Sequence, residues 1–170
     1  MIRLAVGLGA LCGFLAFLLV QFVGGDSTEA SPESVWSYIQ KTAPAHDIDP
    51  GFVYALAWAE STLNPEAESS VARGMMQLTK PTWEDITDIS YRKAWDWQTN
   101  IDVALDYLAF CRELLEKNQS FSYPLLAASY RYGPYYVKNR NFNLNQIRQP
   151  KNEIYRRIFA GNISPVAPPE

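Results

Sequence analysis

Eight consecutive apolar residues, Phe52-Val53-Tyr54-Ala55-Leu56-Ala57-Trp58-Ala59, constrain this chain more than any other feature. Asp49-Pro50 just before them is a helix start, with Asp49 as cap and Pro50 at the first helical position. A helix that is apolar on every side has no face to offer water, so it must run through the centre of the fold with other elements packed around it. Glu60 closes this run and is the only charged side chain between Gly51 and Pro65. A carboxyl at the end of a buried helix is held in its neutral form by two effects. Desolvation disfavours the anion, and the partial negative charge of the helix C-terminus repels it.

The rest of the sequence supplies the surrounding helices. The chain has 170 residues, 48% hydrophobic and 19% charged, enough for one modest core and no second domain. Ser31-Pro32-Glu33-Ser34 predicts a helix with Val35, Trp36 and Ile39 facing inward, ending before Pro44. Asn64-Pro65 breaks the central helix, and Ser69-Ser70 with Arg73-Gly74 marks an irregular loop leading into Met75-Met76-Gln77-Leu78. A short helix follows at Pro81 to Ile86. Ile101, Ala104, Leu105, Leu108, Ala109 and Leu115 fall at helical spacing in a longer one from about Asn100 to Lys117. Tyr123-Pro124 opens a helix that Gly133-Pro134 terminates, and residues 150 to 160 form the last. No run shows sustained strand alternation. The expected fold is mainly α, a single domain over residues 32–160, with residues 161–170, rich in proline, as a frayed tail.

After Arg3, the stretch from Leu4 to Val23 carries no charge and only Gln21 as a polar side chain. Residues 1–25 therefore read as an export segment, either a signal peptide cleaved after the small residues Gly24 and Gly25 or an inner-membrane anchor through residues 4–23. Residues 26–31 are a short polar linker. Cys12 lacks the small residue before it that a lipoprotein site requires, and Cys111 is the only cysteine after the segment, so it reads as a buried thiol. His46 stands alone, and neither a metal nor a cofactor is expected. Residues 26–130 hold seven basic and sixteen acidic side chains, whereas residues 131–157 hold seven basic and one acidic. That basic quarter is a solvated helix face or a surface that steers an anionic polymer or lipid.

By itself, Glu60 is balanced between a catalytic acid and a side chain that merely reaches solvent at a helix end. Its neighbourhood resembles the soluble lytic transglycosylases, relatives of goose-type lysozyme that act on peptidoglycan. Three blocks carry the resemblance in the family's order: Glu60-Ser61 with Asn64-Pro65 and Ala72-Arg73-Gly74-Met75-Met76-Gln77-Leu78; Asn100-Ile101 with Tyr107-Leu108; and Ala127-Ala128-Ser129-Tyr130-Arg131-Tyr132-Gly133-Pro134. Glu153-Ile154-Tyr155 is similar to the family's closing helix. Arg131 stands where the pattern has Asn and Tyr132 where it has Ala, and the loop from Glu60 to Gly74 is one residue short.

The resemblance implies a lysozyme-like helical domain and a periplasmic or cell-envelope location, with peptidoglycan glycan strands as substrate and no nucleic-acid partner. The small size points to recruitment by an envelope protein. Glu60 would be the acid and base, Ser61 would orient it or the sugar, Gln77 would offer its amide, and Met76 and the backbone around Gly74 would line the cleft. Tyr130 would place its hydroxyl near Glu60, and Arg131 would contact substrate. A glycosidase usually needs two carboxylates, and none stands out beside Glu60. In this family the sugar's own N-acetyl and C6 hydroxyl act instead, leaving a 1,6-anhydro end on N-acetylmuramic acid. Two alternatives stay open: a goose-type muramidase using Asp96 or Asp102 as second acid, and a non-catalytic module of the same fold that binds glycan or an envelope partner.

Overall fold

The computed structural model describes residues 29–170, so the expected export segment and the first half of the expected linker lie outside the described residues. Seven α-helices form among them: α1 (Pro32–Thr42), α2 (Pro50–Ser61), α3 (Lys80–Ile86), α4 (Trp97–Lys117), α5 (Tyr123–Tyr132), α6 (Pro134–Lys138) and α7 (Glu153–Phe159). Short 3-10 turns join several of them. A two-stranded antiparallel ribbon, β1 (Ala72–Arg73) and β2 (Leu78–Thr79), pairs Ala72 with Thr79 and Arg73 with Leu78. No helix of the described residues is long and apolar enough to cross a membrane.

Local chemistry fixes each start. Ser31, Asp49, Thr79, Asp96, Ser122 and Asn152 cap the first turns of α1, α2, α3, α4, α5 and α7 through their side-chain oxygens. Each cap satisfies an amide that the helix cannot. Ser31 and Ser34 also close a reciprocal capping box. Helix α4 begins at Trp97, three residues before the expected start near Asn100, because the Asp96 carboxylate accepts the Thr99 N–H at 2.9 Å and the Thr99 hydroxyl at 2.6 Å.

The central helix is α2. Residues 52 to 57 are almost wholly buried, and α2 packs against α1 on one side and α7 on another, while α5 packs against α4, α6 and α7. Leu56 has no exposed surface, and its truncation to Ala would cost about 2–5 kcal/mol. Cys111 sits in the same core, where burial pushes its thiol up to about 12. Two departures from expectation have local causes. Gly133, at φ +93°, ends α5, but Pro134 restarts the chain as α6 at once. The expected fray at residues 161–170 is replaced by a docked tail. Ile163 and Val166 pack on the core, and Arg157 Nη1 donates to the Pro165 carbonyl at 2.9 Å.

Candidate active site

Glu60 lies in the last turn of α2. The helix stops one residue later because Thr62 and Leu63 both take left-handed conformations, at φ +59° and +62°. Neither is glycine, so the sharp exit costs roughly 1–3 kcal/mol per residue, and the packing around it over-determines the turn. The turn carries the chain away from the helix end and leaves the Glu60 side chain between α5 and α7 with 14% of its surface exposed.

Two residues reach it. The Tyr155 hydroxyl, from α7, donates a short hydrogen bond to Glu60 Oε1. The guanidinium of Arg131, at the end of α5, stands 3.6 Å from the same oxygen and lies over the Tyr155 ring, 4.6 Å from its centroid. Burial raises the Glu60 pKa, while the Tyr155 hydrogen bond and the Arg131 charge lower it, and burial prevails. The result is a carboxyl that keeps its proton above the usual carboxylate range. A phenol and a cation are already in place for the anion that forms when the proton leaves.

Glu60 opens onto a groove of about 310 Å³ lined also by Ala72, Gln77, Thr79, Thr82, Tyr107, Tyr130, Arg131 and Tyr132. Ser69, Val71 and Ala72 are shared with a wider trough of about 760 Å³ beneath the ribbon, and Thr82 and Tyr107 with a hollow of about 440 Å³ beside α6. The groove that holds Glu60 thus shares wall residues with two neighbouring hollows. Among the described residues, Glu60 is the one carboxylate that lines the central groove.

Not all of the residues singled out from sequence meet Glu60. Met76 is fully buried and is not part of the groove wall, contrary to expectation. Its amide donates to Asn100 Oδ1 at 2.7 Å and its carbonyl accepts from the Tyr130 hydroxyl at 2.7 Å. Tyr130, whose hydroxyl was expected near Glu60, lines the groove and interacts with Glu60 electrostatically, but its hydroxyl donates to that carbonyl, and the hydroxyl that hydrogen-bonds Glu60 is that of Tyr155. Gln77 also lines the groove, yet its amide nitrogen, expected to face substrate, donates to the carbonyls of Ala67 and Gly74, both at 3.0 Å. The Ser61 hydroxyl donates back along its own helix to the Ala57 carbonyl at 3.4 Å. Gly74 is required by packing as well as by its φ of +78°. A side chain there would run into the Ala94 carbonyl and the Asn100 amide.

Of the two candidate second acids, Asp96 is the α4 cap, and the hydrogen bonds from Thr99 hold its carboxyl below the ordinary range. Asp102 accepts the Tyr38 hydroxyl at 2.8 Å, and burial raises it. Neither lines the groove with Glu60. In the sequence, Tyr155 stands out only as part of a closing helix. Its polar tip on an otherwise apolar face of α7 was the available signal, and it does not reveal a partner 95 residues away.

The transglycosylase SLT domain pattern matches residues 37–154, the span that holds α2, the ribbon loop, α4 and α5. No curated protein matches the chain. Among solved structures the fold is similar to that of an inactive mutant of the lytic transglycosylase Slt from Pseudomonas aeruginosa, with a TM-score of 0.55 and 20% identity over 75% of this chain. This chain spans only 22% of that enzyme. The matched pattern covers well over half of the residues and takes in the acid with its supporting loop, so the chain belongs to the transglycosylase SLT domain family.

Proposed function

We propose that this protein is a lytic transglycosylase of the cell envelope that cleaves the β-1,4 bond between N-acetylmuramic acid and N-acetylglucosamine, with Glu60 as both acid and base. The observation that carries the reading is the seating of Glu60: a buried carboxyl held by Tyr155 and Arg131 in the wall of an open groove. Protonated Glu60 would give its proton to the glycosidic oxygen as the bond from C1 breaks. The C6 hydroxyl of the muramyl ring would then close on C1, and the Glu60 carboxylate would take the hydroxyl proton. The products are a free N-acetylglucosamine end and a 1,6-anhydro muramyl end, with no water consumed. A single carboxylate is enough for this sequence. A hydrolase would need a second one to activate water, and neither Asp96 nor Asp102 is placed in the groove to do so.

Activity in the envelope requires export, which residues 4–23 would provide as a cleaved signal or as an anchor. The test is digestion of purified peptidoglycan followed by mass analysis of the fragments. Wild-type protein is expected to release anhydro-muramyl ends, and Glu60→Gln to lower the rate by about 10²–10⁴-fold. Reducing muramyl ends from the wild type would identify a hydrolase. Full activity in Glu60→Gln would remove Glu60 from the chemistry.

A further inference from the structure

Arg131 is the unusual member of the site. It is the single cationic side chain among the described residues lining the groove, and Glu60 is the single anionic one. Its approach to Glu60 is one contact at 3.6 Å, longer than a hydrogen bond, and stacking over Tyr155 fixes its plane. Neither contact is the bidentate clamp that a guanidinium forms with a carboxylate, and 30% of the side chain remains exposed. The two charges cannot both be in place when the acid is ready to act. Once Glu60 is protonated, Arg131 loses its counter-charge in a partly desolvated groove, and an anionic group on the ligand is what restores neutrality. The coupling is reciprocal: a ligand anion on Arg131 draws the guanidinium's field away from Glu60 and favours the protonated acid.

On a peptidoglycan strand the candidates for that anion are few. N-acetylglucosamine carries no acid. The carboxyl nearest the cleaved bond ends the lactyl ether on the muramyl ring itself. It is ionised only when no peptide is attached, since the stem converts it to a neutral amide. We infer that Arg131 recognises the free lactyl carboxylate of stem-free muramic acid, so that the enzyme prefers glycan whose peptides have been removed. This rests on the function proposed above. It also places the reaction after an amide hydrolysis, in which water splits the lactyl amide into a carboxylate and the amine of the released peptide. Carboxylates within an attached stem have the same chemistry but lie further from the bond being cleaved.

Three glycan preparations separate these sources: strands with stems, strands stripped by an amidase, and stripped strands whose lactyl carboxylates have been converted to methylamides. The wild type is expected to cleave stripped strands with a kcat/KM about tenfold above that for the methylamides. In Arg131→Asn this ratio should fall to within about twofold of one, with Arg131→Lys between. The free-enzyme pH profile gives a second readout. The groups facing Glu60 are Tyr155 of α7 and Tyr130 and Arg131 of α5, and loss of the one cation should move the alkaline limb to higher pH. A wild-type ratio near one, a ratio unchanged by Arg131→Asn, or an Arg131-dependent preference for stem-bearing strands would overturn the inference. Product ends are scored separately: reducing ends with the preference intact would remove the lytic reading and leave Arg131's role standing. Should no preparation be cleaved, equilibrium binding of the same three glycans to wild type and Arg131→Asn decides, with the same ratios expected and the same ones fatal.

Discussion

The loop between α2 and α3 and the junction of α5 with α7 both surround Glu60, but they serve it differently. The loop is pinned by recognisable residues, some its own and some from the helices beside it: Asn100 of α4 accepts from the Met76 amide, Tyr130 of α5 donates to the Met76 carbonyl, and Gln77 donates to Ala67 and Gly74. The junction supplies the two side chains that touch Glu60: Arg131, which the sequence marks, and Tyr155, which the sequence shows only within a closing helix. A pattern of residues can therefore mark where a backbone must be pinned, while groups that touch Glu60 arrive from elements distant in the chain. An irregular loop has no helical hydrogen bonds to hold it, so its shape depends on named side chains at fixed positions. A helix can present one tyrosine at the right place with almost any sequence around it.

If this contrast is right, changes in the loop should act through stability and changes at the junction through chemistry. The largest effect is expected for Met76→Ala, which empties a fully buried site and should lower unfolding free energy by about 2–5 kcal/mol in a urea titration. A loss below about 1 kcal/mol would mean that Met76 is not the packing residue described. Asn100→Ala leaves the buried Met76 amide without its acceptor and should cost about 1–3 kcal/mol by the same measurement, with activity at low temperature largely retained.

Tyr155→Phe keeps the ring under Arg131 but removes the hydrogen bond to Glu60. We expect turnover to fall by roughly tenfold, and the alkaline limb of kcat/KM to move to higher pH, since a bond favouring the carboxylate has been lost. Steady-state rates across pH would show it, and a limb that stays in place would contradict the contact. The smallest effect is a pH-dependent difference in melting temperature between wild type and Glu60→Gln. The folded-state pKa of Glu60 lies above its ordinary value of 4.5, so its contribution to stability is complete below that pH and is lost as pH rises through the folded value. The melting temperature of Glu60→Gln should therefore gain on that of wild type as pH rises through this window. A difference that is constant across pH would show that Glu60 has no raised pKa.

Much of this arrangement was legible in the chain. The apolar run before Glu60 required a central helix, and Ser31-Pro32 and Asp49-Pro50 marked two helix starts to the residue. Asp96 was harder to read as a cap because no proline follows it, and the ribbon was invisible because two residues per strand show no alternation. The docked tail depends on Ile163, Val166 and an arginine donating to a backbone carbonyl, contacts that no periodicity announces. Within the site, the sequence singled out Glu60 and the loop beside it. It could not assign Tyr130 and Tyr155 their separate partners, because both are tyrosines on helices near Glu60, and only the packing of α5 against α7 decides which hydroxyl meets Glu60.

The central claim is that burial keeps Glu60 protonated against the pull of Tyr155 and Arg131. Carbon-13 NMR of the glutamate side-chain carboxyls, with Glu60→Gln used to assign the signal, reads that titration directly. Glu60 should titrate above its ordinary value of 4.5, and its midpoint should rise further in Tyr155→Phe and in Arg131→Asn. A midpoint at or below 4.5, unmoved by either substitution, would contradict the account.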